Sequence, residues 1–181
     1  HLMAGNVATA EAFEDLSNWG ADSIRVGVGG GAACSTRTRT GHGLPVLDSI
    51  IRCAESDASA LLIADGGIRN SGDIVKAIAA GADLVMVGSL LAGTDESPGV
   101  VITDERSGQK VKVYRGMASG DAQNSWRNKV SVVEGVSTTV PYKGNVTDVV
   151  ENLLGGLRSG LSYSGCRNLN ELRLTATFVN Q

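Results

Sequence analysis

Val26-Gly27-Val28-Gly29-Gly30-Gly31-Ala32-Ala33-Cys34-Ser35-Thr36-Arg37-Thr38-Arg39-Thr40-Gly41-His42-Gly43 is the stretch on which the fold of this chain turns. The hydrophobic run that enters it, Ser23-Ile24-Arg25-Val26-Gly27-Val28, stops in glycines at 27 and 29 to 31. β-Branched residues ending in glycines read as a buried strand that delivers a loop at its C-terminal end. In parallel α/β folds, that end is where chemistry sits. Cys34 is held there with hydroxyls beside it, Ser35 and Thr36, and arginines behind, which are the surroundings of an activated nucleophile. The alternative is a small buried hydrophobe, as most free cysteines are. A core cysteine has no need of four glycines and two hydroxyls.

The device recurs along the chain. Gly20-Ala21-Asp22 before the first glycine strand and Gly81-Ala82-Asp83 before Leu84-Val85-Met86-Val87-Gly88 are the same helix stop, strand and glycine turn. Between them Leu61-Leu62-Ile63-Ala64 closes in Asp65-Gly66-Gly67, and Leu2 to Asn6 reads as the tail of a further strand. Amphipathic helices separate these strands. Ala12, Phe13, Leu16 and Trp19 form the first apolar stripe, with Thr9 as its cap; Leu47, Ile50, Ile51 and Ala54 form the second; Ile74, Val75 and Ile78, after Ser71, form the third. Apolar strands alternating with helices indicate a parallel sheet covered by helices. Four βα units are expected by about Leu91, whereas an eight-stranded barrel takes ~250 residues. The sequence therefore encodes either a four-strand α/β layer or the second half of a (β/α)8 TIM barrel.

Beyond Leu91 the character changes. Val100 to Ile102 and Lys110 to Tyr114 alternate about Ser107-Gly108, which predicts a β-hairpin. Residues 120–133 are polar and weakly periodic, the composition of a mobile flap, the whole flap region running over about 119–140. Asn145 or Thr147 caps a last long helix through Val149, Val150, Leu153, Leu154 and Leu157, and Asn168 to Leu172 is a short helix. The organisation expected is one catalytic barrel domain over residues 1–181.

Composition narrows the function. With 181 residues, the chain is long enough for a domain with a core. A net charge of −3 at pH 7 is too mild to suggest nucleic acid or an acidic membrane surface. Three cysteines without paired spacing argue for a reducing compartment. No apolar run approaches the roughly 18 residues of a membrane span, and the N-terminal residues lack a signal-peptide pattern. A cytoplasmic protein is expected.

Three glycine turns on one rim, Gly29 to Gly31, Gly66-Gly67 and Gly88-Ser89, favour a phosphate-bearing ligand held by backbone N–H groups; a single such turn would only be a tight βα connection. Asp65 at a strand end suits the vicinal hydroxyls of a ribose, or equally a helix N-cap. His1 and His42 cannot form a metal cluster, and Cys34, Cys53 and Cys166 lack zinc spacing. Cys53, within a helix, reads as structural. Without a histidine base, proton transfer falls to carboxylates and hydroxyls. Glu134, beside a glycine after the flap, is the best candidate, although such a residue alone is more often a solvated charge.

Taken together, Ala4-Gly5-Asn6-Val7-Ala8-Thr9, the cysteine loop, Asp65-Gly66-Gly67, Val87-Gly88-Ser89, Tyr114-Arg115-Gly116-Met117, Glu134-Gly135 with Val140-Pro141-Tyr142-Lys143-Gly144, and Leu154-Gly155-Gly156-Leu157-Arg158-Ser159 resemble the inosine monophosphate dehydrogenase and guanosine monophosphate reductase family. Each piece is weak alone, but their shared order is specific. The resemblance implies a (β/α)8 barrel that binds a purine nucleoside monophosphate and works as a homotetramer. Cys34 would attack C2 of the purine, with Thr36 and Glu134 moving protons. Asp65 would hold the ribose; Gly66, Gly67, Gly88, Ser89 and Tyr114 would surround the phosphate; Gly116, Met117, Ala118 and Gly135 would surround the base. Asn6, Arg25 and Gly27 would lie by a nicotinamide cofactor, NADPH in a reductase or NAD in a dehydrogenase. The carbonyls of Gly29, Gly31 and Cys34 would match a potassium site.

Between the two activities, the segment from Ser119 to Glu134 is short and lacks the Arg-Tyr pair with which a dehydrogenase activates water; its only arginine, Arg127, precedes Asn128. Thr36-Arg37-Thr38-Arg39-Thr40-Gly41 also resembles the reductase. GMP reductase, converting GMP to IMP and ammonia, is the favoured expectation and IMP dehydrogenase the alternative. A non-catalytic purine nucleotide-binding half-barrel stands as the reading from another class, and a flavin-binding barrel as a weaker one. In any of these, four strands would need a partner half-barrel or a second copy, because an open half-barrel exposes edges and apolar surface.

Overall fold

A computed structural model describes residues 1–179 of the chain. Four parallel strands, β1 (Met3–Val7), β2 (Ser23–Val26), β3 (Leu61–Asp65) and β4 (Leu84–Met86), lie side by side in sequence order. Helices α1 (Ala10–Asn18), α3 (Val46–Ala54) and α4 (Ser71–Ala79) follow β1, β2 and β3, with the short α2 (Thr36–Thr40) inside the cysteine loop; α5 (Ser89–Ala92) follows β4. The register Ile24↔Leu62 and Val26↔Ala64 puts these four residues, all at most 3% exposed, on the face covered by the helices. Each large aliphatic chain withdrawn from water there contributes about 1.5–3 kcal/mol.

The opposite face follows from the same period of two. Its row Met3↔Ser23↔Leu61 and the pair Ile63↔Leu84 point away from the helices, and Met3, Leu61 and Leu84 remain 47%, 43% and 51% exposed. The described residues are thus an α/β fold with a parallel sheet, in the arrangement of a partial (β/α)8 barrel.

A second sheet, antiparallel, contains β5 (Val101–Thr103), β6 (Lys110–Arg115) and β7 (Ser137–Pro141). Between β6 and β7 runs α6 (Gly120–Arg127), and α7 (Val146–Tyr163) and α8 (Leu169–Thr175) follow. Helix α7 packs along α4, and Arg173 of α8 binds Asp83 at 3.1 Å and the Ala82 carbonyl at 2.9 Å. No helix among the described residues is long and apolar enough to cross a membrane.

Several sequence expectations need correction. The hairpin is the first part of a three-stranded sheet, because Ser137–Pro141 buries only Val140 and shows little apolar alternation of its own. The flap composition conceals α6, whose start Ser119 caps by accepting from the Ala122 N–H, and which buries only Ala122 and Gln123. The Arg/Thr alternation is the single helical segment α2; Thr38 and Thr40 hydroxyls bond back to the Ser35 and Thr36 carbonyls. Trp19 is no part of the apolar stripe: it sits at the C-cap of α1, 77% exposed. Asn145, not Thr147, caps α7, and Asn70 caps α4, so Asp65 has no capping duty. The β2 strand stops at Val26, two residues early, since Gly27 with φ +141° already turns away. A Cβ at Gly27 would collide with the Asp65 carbonyl oxygen, so the glycine lets β2 and β3 end in contact.

Candidate active site at the strand tips

The tips of the parallel strands gather what the sequence separates. Cys34 is exposed, and its Sγ–H donates to Thr36 Oγ1 at 3.2 Å; the Thr36 hydroxyl in turn donates to Glu134 Oε2 at 3.0 Å. Glu134 lies 98 residues from Thr36, and backbone bonds bring it there. The Ser35 N–H donates to the Glu134 carbonyl (2.7 Å), the Val136 N–H to the Ala33 carbonyl (3.0 Å) and the Gly116 N–H to the Val136 carbonyl (3.1 Å). The cysteine loop, residues 134–136 and the end of β6 therefore form one hydrogen-bonded unit.

A second cluster sits across the cleft. Asp65 Oδ2 accepts from Asn6 Nδ2 (2.8 Å), Arg25 Nη2 (2.8 Å) and Arg25 Nε (3.2 Å), and Asn6 also donates to the Gly27 carbonyl at 2.7 Å. Asp65, expected at the ribose, and Asn6, Arg25 and Gly27, expected at the cofactor, are thus one group. Oδ1 of Asp65 accepts no hydrogen bond from the described residues, so one carboxylate oxygen is free for another donor.

These clusters border a cleft of about 360 Å³ that Gly29, Gly31, Gly66, Gly116, Met117, Ala118 and Gly135 also line. It adjoins a cavity of about 290 Å³ walled by Gly66, Gly67, Gly88, Ser89 and Tyr114. Every site residue expected from the sequence borders one or the other. The Gly66 backbone, at φ +99°, passes so close to the cysteine loop that a Cβ there would fall 2.9 Å from the Gly30 carbonyl carbon. The Tyr114 hydroxyl lies against Gly88, and burial, followed by the Asp65 charge, pushes its phenol above the ordinary range. Lys143 donates to the Leu90 carbonyl at 2.8 Å, and burial lowers its ammonium below the ordinary range.

A larger cavity of about 450 Å³ lies at the opposite ends of the strands, against Phe13, Cys53, Ala80 and Arg173. Cys53 is 1% exposed there, and burial, with a smaller effect of Glu11, pushes its thiol to about 11. A protonated, enclosed thiol is inert, so size does not decide the site; the strand tips do.

Three supporting residues escaped the sequence reading. Arg37 donates to the carbonyls of Val28 (3.3 Å) and Leu44, bracing the cysteine loop from inside. Lys112, 2% exposed, donates to the Thr94 (2.8 Å) and Ser97 (2.5 Å) carbonyls two residues before Tyr114. Gln123 ties α6 to both ends of its own segment. No local signal marked Lys112: the alternation of Lys110-Val111-Lys112-Val113 puts both lysines on one face of β6, yet Lys110 is exposed and Lys112 buried.

Parallel strands with helices between them, a thiol-bearing glycine loop at their C-terminal tips and two further glycine turns beside it define a protein of the βα-barrel type. The chain belongs to the IMP dehydrogenase / GMP reductase family, whose domain matches residues 1–181. It is 48% identical to an inosine-5'-monophosphate dehydrogenase of Nitrosopumilus maritimus, over 98% of this chain and 40% of that protein. It is 46% identical to a GMP reductase of Leishmania major, over 98% of this chain and 38% of that one. Among solved structures, a cysteine-to-alanine GMP reductase from Trypanosoma brucei in complex with guanosine 5'-monophosphate superposes with a TM-score of 0.93 at 47% identity, covering 98% of this chain and 38% of the other. The chain thus spans about two-fifths of the length of these relatives.

Proposed function

We propose that this chain carries the catalytic half of a nicotinamide-dependent purine nucleotide oxidoreductase acting as a GMP reductase. The observation that carries the reading is the Cys34–Thr36–Glu134 relay opening onto a glycine-lined cleft. The Cys34 thiol proton passes through the Thr36 hydroxyl to Glu134 as sulfur bonds to C2 of GMP. Glu134 returns that proton to the exocyclic amino group, which leaves as ammonia and a C2-linked thioimidate remains on Cys34. The C2–S bond breaks as C2 becomes C–H, releasing IMP and a thiolate that takes up a proton again. General acid–base help of this kind contributes about 10²–10⁴ in rate.

Phosphate sits against the backbone N–H groups of Gly67, Gly88 and Ser89 and the Tyr114 hydroxyl; these donors suit an anion without a lysine. The free oxygen of Asp65 takes a ribose hydroxyl, and Met117, Ala118, Gly116 and Gly135 flank the base. Asn6 and Arg25 fit a nicotinamide, because an amide and a guanidinium already held by Asp65 offer fixed donors to a carboxamide. A bound NADPH supplies the hydride that replaces sulfur at C2. The carbonyls of Gly29, Gly31 and Cys34 are the hard oxygen donors that potassium takes.

The direction rests on the segment before Glu134, which has no Arg-Tyr pair to activate water. IMP dehydrogenase with NAD is the second reading, favoured by relatives of that name. The exposed inner-face residues Met3, Leu61 and Leu84 call for cover by the other strands of a barrel, from a longer chain or a second copy. A homotetramer and a cytoplasmic location complete the proposal. The test is intact mass after mixing with GMP, followed by assay of ammonia release with NADPH against NADH formation from IMP. An adduct absent from Cys34→Ala supports the reading. No adduct with either nucleotide, while nucleotide still binds, would leave a non-catalytic binding module.

A further inference from the structure

Helix α6 is fastened to the molecule by polar contacts more than by apolar burial: of its eight residues only Ala122 and Gln123 are buried. Gln123, 5% exposed, donates through Nε2 to the carbonyls of Ala118 (3.1 Å) and Val132 (3.0 Å). Its Oε1 accepts from the Ser131 N–H (2.8 Å) and hydroxyl (3.1 Å). The amide therefore uses both donors and both acceptor positions. Its orientation is fixed, because a flipped amide would set its oxygen against two carbonyls and its NH2 against the Ser131 N–H.

All of these partners lead to Glu134. The Ala118 carbonyl that Gln123 binds also accepts from the N–H groups of Glu134 and Gly135, both at 3.2 Å. Ser131 and Val132 stand three and two residues before Glu134 on the same strip of backbone. There is no slack between the strips: a Cβ at Gly135 would lie 2.8 Å from the Ser119 nitrogen and 3.0 Å from the Ala118 carbonyl carbon. A shift of either strip therefore displaces Glu134, whose carboxylate receives the Thr36 hydroxyl at 3.0 Å. Gln123 itself does not border the catalytic cleft.

We propose that Gln123 is a positioning residue for Glu134: its amide fixes the backbone from which the carboxylate reaches Thr36, so the relay is complete only while α6 is docked. A fully satisfied buried polar network holds one arrangement of its members, and a displacement of about 1 Å at a reacting group costs up to about 10²-fold in rate. The inference rests on the relay of the proposed reaction and adds the residue that keeps its carboxylate within reach. The competing role for Gln123 is to satisfy buried backbone groups and nothing more.

Gln123→Met keeps the length of the side chain and removes all four bonds. At saturating GMP the first-order rate of adduct formation on Cys34, followed by intact mass, should fall about tenfold. In a Glu134→Gln background the same substitution should change that rate less than about twofold, because no carboxylate is left to place. A residue that only stabilises the fold would lower the melting temperature and slow both backgrounds alike. Equal factors in the two backgrounds, or no slowing when Glu134 is intact, overturn the proposal. Should Gln123→Met not fold, Gln123→Glu at neutral pH keeps the acceptor for Ser131 and loses the two donors, and the same comparison decides. The reaction fails separately, when the unaltered protein forms no adduct with GMP or IMP. The comparison is then made on alkylation of Cys34 by iodoacetamide, which needs no nucleotide: a rate change by Gln123→Met that vanishes beside Glu134→Gln supports the positioning role, and an equal or absent change overturns it.

Discussion

Replacing Lys112 with methionine tests whether a buried cation organises the hairpin sheet that carries Tyr114. The lysine is 2% exposed on β6 and its ammonium holds two carbonyls, Thr94 at 2.8 Å and Ser97 at 2.5 Å. Hydrogen bonds to a charged group contribute about 1.5–3 kcal/mol each, so the gross loss is about 3–6 kcal/mol. Methionine has similar length and needs no hydration, which returns several kcal/mol of the cost of burying an ammonium. The residual penalty comes from the acceptors left behind. Ser97 is half-buried and its carbonyl can turn to water, whereas Thr94, 1% exposed, cannot. The buried Thr94 carbonyl keeps only its longer bond from the Ser97 N–H (3.3 Å), and loss of the charged one sets the net destabilisation at about 2 kcal/mol. Urea unfolding followed by tryptophan fluorescence measures it, with an unchanged m-value as the check that only stability moved. Because Tyr114 sits two residues on, with its hydroxyl against Gly88, nucleotide affinity should fall as well. A loss below about 0.5 kcal/mol, or a gain, would mean that desolvation of the ion outweighs its hydrogen bonds, and the reasoning would be wrong.

Other tests address the relay, the core and the rim. Thr36→Val keeps volume but cuts both bonds between Cys34 and Glu134; adduct formation with GMP should slow about 10²-fold with melting temperature unchanged. Adding Glu134→Gln should slow it little further, since both changes break one chain of bonds; additive losses would show that the two residues act independently. Cys53, whose thiol burial holds near 11 against an ordinary 9, is more readily ionised unfolded than folded. The Cys53 contribution to stability should therefore be constant below pH 9, fall by about 1.4 kcal/mol per pH unit between 9 and 11, and level off above, so that the difference between wild type and Cys53→Ala in pH-dependent unfolding carries that slope. Gly66→Ala forces a side chain into φ +99° and towards the Gly30 backbone; a loss of about 1–3 kcal/mol in thermal unfolding is expected, together with altered alkylation of Cys34 by iodoacetamide.

The local rules determined the parallel half of this protein. Apolar runs of strand length ending in glycine, separated by stripes of helical period, set out β1 to β4 and their helices, because each element buries one face and the pattern is written in consecutive residues. The same stretches carried Cys34, Thr36, Asp65 and the three glycine turns to one rim. Tertiary structure decided the rest. β7 and α6 bury too few side chains to leave a period, and they form because β6 and the capping hydroxyl of Ser119 offer partners. Glu134 reaches Thr36 only through backbone bonds across 98 residues of sequence. Asn6, Arg25 and Asp65 meet in one carboxylate cluster for a similar reason: parallel strands place residues from distant segments at adjacent tips, and no local spacing records which of them will touch.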